Sequence, residues 1–329
     1  MSADVQTAKP VGAPPRPQWK TLVPKAVPFT ALLLLVIVFA GTTGFLTSRN
    51  LDSIINALPV LMLVGAGATL PILLGSIDLS LAGVVVLAGG VSATLAAKHG
   101  EAWLLVAPLI GIAAGTLNGL VIAVGRLPSF LVTLGSYFAF TGLAQVIMGG
   151  VPQPFTGELA TKIGSNQVAL LGQNVSYLVL IGIVVLALVI VFTARTRYGR
   201  YMYAIGGAER VSRLSGLPVT RVKIAAFALS GLLASIAGLM LTMRASAATP
   251  TMGDPFLLTS IAAVVVGGTS LSGGIGGVQW TLLGALVITV LDNGMTLAGV
   301  DAQYQIIIRG LVIIVASALT IRRLSDVVK

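Results

Sequence analysis

The chain predicts an all-α integral membrane protein of about ten transmembrane helices, and three observations carry that prediction. Its 329 residues are 56% hydrophobic and 9% charged, against about 25% charged in a soluble domain, so too few charges remain to face water. The apolar residues fall in long continuous runs, each near the ~20 residues that a spanning helix needs. The runs lack the two-residue alternation of barrel strands.

In order, the runs cover about residues 26–46, 52–75, 77–97, 102–124, 128–149, 174–193, 222–243, 256–272, 275–298 and 302–321. Residues 1–25 form a basic stretch interrupted by Pro10, Pro14, Pro15, Pro17 and Pro24, and are expected to be a disordered tail. This tail is not read as a signal peptide, because the first apolar run has full spanning length rather than the short apolar core of a cleavable signal, and should stay as a membrane span. The membrane domain is therefore expected at 26–321, with a second short tail at 322–329.

Charge sets the orientation. With the N-terminus inside, fifteen Lys and Arg fall on the inner side and four on the outer side (Arg49, Lys98, Lys162, Arg244), while Arg309 lies within a span. Cytoplasmic loops carry the excess of Lys and Arg, so both termini are expected in the cytoplasm. Seven of the inner cations crowd one loop, about 195–223: Arg195, Arg197, Arg200, Arg210, Arg213, Arg221 and Lys223. The longest outer loop is about 150–173. The net charge of +10 thus belongs to tails and loops, and nucleic acid is not an expected partner.

The sequence has no cysteine, hence no disulfide and no thiolate metal site, and its one histidine, His99, sits in a short loop. A Ser/His/Asp set, an HExxH pair, paired carboxylates and a Walker motif are all missing. The chain is therefore read as a non-enzyme, with no metal and no cofactor of its own. Any uphill transport would draw its energy from elsewhere.

Two interruptions carry the functional signal. Gly75-Ser76-Ile77-Asp78-Leu79-Ser80 breaks one apolar run, and Gly267-Gly268-Thr269-Ser270-Leu271-Ser272-Gly273-Gly274 breaks another. Paired breaks in two halves mark a transporter's central pathway, and five spans per half would make the repeat inverted. A carboxylate within apolar sequence is costly unless paired, solvated or placed at a helix start. Asp78 and Ser80 are expected to cap the following helix, line a polar pathway, or both. The second break lacks the lysine of a phosphate loop and reads as a turn between close-packed helices.

Asp292 and Arg309 are the other charges within spans. Counted at 1.5 Å per residue from the outer ends of two antiparallel neighbours, both lie about 10 Å deep, so a structural ion pair is expected. Asn118, Thr133, Gln145, Thr269 and Asn293 join Asp78 and Ser80 as candidate pathway residues for a polar neutral solute, although any one of them also serves as helix–helix glue. The small-residue run Gly111-Ile-Ala-Ala-Gly115 predicts a close helix approach.

These segments together resemble the permease subunits of bacterial ABC importers of the ribose, xylose, arabinose and galactose type, related to branched-chain amino-acid permeases. Gly75-Ser76-Ile77-Asp78-Leu79-Ser80 resembles the family's GGIDLS segment. Asn118-Gly119 followed by Arg126-Leu-Pro-Ser-Phe-Leu-Val-Thr-Leu-Gly135 resembles its NG…RxPxFxxTLG stretch. Gly199-Arg200-Tyr201-Met202-Tyr203-Ala204-Ile205-Gly206-Gly207, then Arg213-Leu214-Ser215-Gly216, resembles its cytoplasmic loop. Ile261-Ala-Ala-Val-Val-Val-Gly-Gly-Thr-Ser-Leu271 resembles its IAAVVLGGTSL. Ala208 and Asp254 depart from the pattern, which has Asn at the first position and a Glu nearer the helix at the second.

The resemblance implies a multi-pass protein of the bacterial inner membrane that imports a monosaccharide or similar small polar solute by alternating access. It implies pairing with a second permease, identical or different, docking on an ABC ATPase that holds ATP and Mg, and delivery of substrate by a periplasmic binding protein. It places the ATPase-coupling contact at Gly206, Gly207, Glu209, Arg213, Ser215 and Gly216. Autoinducer-2, a nucleoside or a branched-chain amino acid remain open as solutes on the same architecture, and an ion-coupled secondary carrier remains the other class.

Overall fold

The computed structural model describes residues 19–328, with side chains from Pro28 to Val315. Each expected apolar run coincides with a helix: α1 (Trp19–Phe39), α2 (Ser48–Leu73), α3 (Leu81–His99), α4 (Ala107–Gly125), α5 (Ser129–Met148), α7 (Tyr177–Arg195), α10 (Val219–Ala245), α11 (Phe256–Val266), α12 (Val278–Leu297) and α13 (Ala302–Val328). Among the described residues, seven helices are long and apolar enough to cross a membrane, and α1, α11 and α13 contribute shorter apolar stretches.

Several boundaries differ from expectation, each for a local reason. Residues 1–18 of the expected N-terminal tail lie outside the described residues. Helix α1 starts at Trp19, two residues past Pro17, inside the range read as tail. The expected C-terminal tail is helical to Val328, because nothing after Gly310 breaks the helix and loss of apolarity alone does not end one. Helix α11 stops at Val266 because Gly268 takes a left-handed turn at φ 85°. The expected outer loop, 150–173, holds a short helix, α6 (Glu158–Ser165), and leads into a hairpin of β2 (Gln167–Leu170) and β3 (Gln173–Ser176). Two residues of it, Gln153–Pro154 (β1), pair with Ala247–Ala248 (β4). The basic loop is two helices, α8 (Arg197–Gly207) and α9 (Glu209–Leu214).

Helix α10 is the hub, because small residues let its neighbours approach to backbone contact. A Cβ on Gly115 of α4 would sit 2.1 Å from the Phe227 carbonyl, and one on Gly231 of α10 would sit 2.1 Å from the Gly111 carbonyl. The expected close approach at Gly111–Gly115 is thus made, and made to α10. Such interfaces hold helices by packing where lipid offers no hydrophobic drive. The faces of α5 and α7 turned away from the core carry exposed apolar side chains such as Phe138, Val146 and Leu188, as lipid-facing surfaces do.

The two breaks pack on each other. Gly65 neighbours Ala263 and Gly75 neighbours Ser272, so α2 and α11 enter their breaks running parallel. A twofold axis in the membrane plane reverses helix direction and cannot exchange parallel partners. The reading of these two breaks as inverted equivalents is therefore corrected.

Candidate functional site

Asp78 is 3% exposed, and its cost of burial is met by three hydrogen bonds from two residues. Its Oδ1 accepts from the Ser80 backbone N–H at 3.0 Å and from the Ser80 hydroxyl at 2.5 Å. Its Oδ2 accepts from the Ser230 hydroxyl of α10 at 2.8 Å. The Asn118 amide of α4 donates to Ser80 Oγ at 2.8 Å, and the Ser136 hydroxyl of α5 donates to Asn118 Oδ1 at 2.6 Å. Thr133 Oγ1 donates to the Ser129 carbonyl at 2.8 Å and lies 3.2 Å from the Ile77 carbonyl, while Ile77 N–H donates to Ser129 Oγ at 3.1 Å. The network joins α3, α4, α5 and α10 around one carboxylate. Asp78 caps the Ser80 N–H; Ser80 itself makes no side-chain cap to α3.

The second break is tied down as closely. Thr269 is fully buried and its Oγ1 accepts from Gly277 N–H at 3.1 Å. Thr69 of α2 and Thr281 of α12 share a 2.7 Å hydroxyl pair beneath it. The Gly274 N–H donates to the Leu73 carbonyl at 3.0 Å, joining the second break to the end of α2.

Helix α8 meets both breaks at once. A Cβ on Gly206 would fall 1.9 Å from the Leu73 carbonyl and 2.6 Å from Gly274 N, so only glycine lets the chain approach there. Gly207 flanks Gly274, and the Tyr203 hydroxyl donates to the Gly276 carbonyl at 3.0 Å. Burial lifts the Tyr203 hydroxyl above its ordinary pKa and keeps it a neutral donor. The glycines Gly206 and Gly207, named in the sequence for their place in the loop, are thus the contact between that loop and the helix breaks.

Glu209 opens α9 and clips it. Its Oε1 pairs with Arg213 at 3.0 Å and its Oε2 with Lys223 of α10 at 2.8 Å. Burial alone would raise this carboxyl, but the hydrogen bond and charge of Lys223, then those of Arg213, outweigh it and hold the group below its ordinary value. Ser215 and Gly216 end the segment, with Gly216 in the left-handed region at φ 79°.

The remaining candidates lie elsewhere. Asn293 of α12 exchanges two amide hydrogen bonds, at 2.8 and 2.9 Å, with Asn50 of α2. Arg309 Nε lies 3.0 Å from Asp292 Oδ1 without hydrogen-bond alignment, a charge contact between α13 and α12. Gln145 is exposed on α5, away from the Asp78 network, and its side chain has no hydrogen-bond partner among the described residues. Sequence reasoning missed Ser230 and Asn50 as members of the buried polar networks. The signal for both is tertiary: each is an ordinary small polar residue until the fold sets it opposite Asp78 or Asn293.

Residues 50–317 match the family model described as branched-chain amino acid transport system / permease component. The chain is 39% identical over 289 residues to the ribose import permease protein RbsC of Escherichia coli K12, covering 87% of this chain and 89% of that one. It is 38% identical over 306 residues to the protein of the same name from Bacillus subtilis 168, covering 89% and 91%. It is 29% identical over a 357-residue alignment to the xylose transport system permease protein XylH of Escherichia coli K12, covering 88% and 90%. No solved structure matches the chain.

Proposed function

The chain belongs to the branched-chain amino acid transport system / permease component family, and on that premise we propose that it is the membrane-spanning subunit of an ATP-driven importer of a monosaccharide. The relatives named for ribose and xylose support a sugar over autoinducer-2, a nucleoside or an amino acid. The subunit is non-catalytic. ATP and Mg belong to a partner ATPase, a periplasmic binding protein delivers the solute, and a second permease completes the pathway in the inner membrane.

One observation carries the mechanism: the Gly206 backbone rests on the end of α2 and on Gly274 together. When the ATPase closes on nucleotide, helices α8 and α9 are the cytoplasmic handle that moves with it. Because the contact is backbone on backbone, motion reaches both broken helix pairs without passing through pliable side chains. Asp78, Ser80, Asn118, Thr133 and Thr269 are hydrogen-bonded within the protomer. Their role is to hold the pathway walls, while Gln145 keeps its amide free for a solute. The Asp292–Arg309 contact ties α13 to α12 and is structural.

The finer architecture follows the same reading: ten spans, both termini cytoplasmic, and inverted halves pairing α2 with α10, α3 with α11, α4 with α12 and α5 with α13. Packing supports it. The contact of α10 on α4 has its counterpart in α2 on α12, both antiparallel, and that of α10 on α3 in α2 on α11, both parallel. The contact of α3 on α5 has its counterpart in α11 on α13.

The test is sugar-dependent ATP hydrolysis and uptake by the complex co-expressed with its ATPase and binding protein, for wild type and Gly206→Val. Uptake lost by at least tenfold in the variant, with the ATPase still copurifying, is the expected result. Solute movement under an ion gradient with no ATPase bound would establish a secondary carrier instead.

A further inference from the structure

Beside the handle lies a cavity of about 480 Å³, bounded by the first break, the α4–α5 turn and α9. At ~30 Å³ per water, it has room for a group far larger than a few solvent molecules. Arg126, Arg213 and Lys223 line it against a single carboxylate, Glu209, so two positive charges are left over. Glu209 occupies Arg213 and Lys223, while Arg126 has no ion pair or hydrogen bond among the described residues. Ser76 is only 6% exposed, lines the same cavity, and its hydroxyl has no hydrogen-bond partner among the described residues. Helix α5 opens on the cavity with no side-chain cap, which adds outward-facing backbone N–H groups.

A free hydroxyl on the cavity wall, free N–H groups and surplus cations together suit a tetrahedral oxyanion. The rim adds a second requirement: Leu127 and Phe130 are half exposed beside the charged floor. A soluble anion gains nothing from them, whereas an amphiphile lays its chains there. We propose that this cavity holds the phosphate of an anionic phospholipid, with Arg126 and Ser76 as its ligands and Leu127 and Phe130 against its acyl chains. Because Glu209 and Arg213 of α9 line the same cavity, the lipid braces the proposed coupling helix against α4 and α5. The inference rests on the proposed function only for that last consequence, and its test reads lipid-dependent stability rather than transport.

The test compares the full-length chain in nanodiscs of phosphatidylcholine alone and with added phosphatidylglycerol, following thermal unfolding, with native mass spectrometry to count retained lipid. Phosphatidylglycerol should raise the unfolding temperature by a few degrees and copurify at one tightly held molecule per chain. Arg126→Gln and Ser76→Ala should each lose the shift while unfolding like wild type in phosphatidylcholine. Arg221→Gln, which removes an exposed cation outside the cavity, should keep it. Equal loss in Arg221→Gln, or a shift that survives in Arg126→Gln, would mean general surface attraction and overturn the site. An equal shift from inorganic phosphate in phosphatidylcholine discs, lost in Arg126→Gln, would overturn the lipid as the source.

Discussion

At the scale of single residues, Asp78 separates two roles that are easily confused. A carboxylate that binds solute keeps lone pairs open to a pathway. Asp78 instead spends both oxygens on Ser80 and Ser230. Hydrogen bonds to a charged group are worth about 1.5–3 kcal/mol each, and an orphaned partner adds its own desolvation cost. Asp78→Ala, which strands two buried hydroxyls, is therefore expected to destabilise the fold by about 3 kcal/mol in denaturation measured in mild detergent. Asp78→Asn keeps the shape and one acceptor, so it should cost clearly less. An Asp78→Asn protein with unchanged stability but no uptake would reverse the assignment and put the carboxylate on the solute.

At the scale of elements, α9 is too short to hold itself as a helix, and its position rests on what clips it. Glu209 joins the start of α9 to Arg213 within it and to Lys223 on α10. The folded pKa is depressed, so the stabilisation is fully present above the ordinary carboxyl value of 4.5 and is lost as pH falls through the lower folded value. The difference in protease or hydrogen-exchange protection of α9 between wild type and Glu209→Gln should be constant near neutrality and vanish in acid. A difference that persists at the acid end would mean the clip is not ionic. The elements also show what a sequence reveals. Apolar run length located the apolar helices, and glycine spacing located the breaks, because lipid and backbone geometry act locally. That Gly206 and Gly274 meet at the Leu73 carbonyl was not legible. Nor was the choice of Ser230 over its neighbours as the Asp78 partner. Both depend on how separate helices are brought together, and no local pattern encodes that.

At the scale of the whole molecule, the proposed inverted halves and the charge count together predict one orientation. If the halves are inverted, the α8–α9 handle and the Gln167–Ser176 hairpin lie on opposite faces. By the excess of Lys and Arg, the handle is expected on the inside. The absence of cysteine makes this directly measurable. Leu171 is fully exposed at the hairpin tip, and Leu214 is 81% exposed at the end of α9. Neither packs on the core, so Leu171→Cys and Leu214→Cys should fold as wild type. A thiol reagent that does not cross the inner membrane should label Leu171→Cys in intact cells and leave Leu214→Cys unmodified until the cells are opened. Labelling of both in intact cells would break the odd count of spans between the two positions that the inversion requires. Labelling of Leu214→Cys alone would keep the inverted architecture but turn it over, and would remove the handle from the compartment where ATP is found.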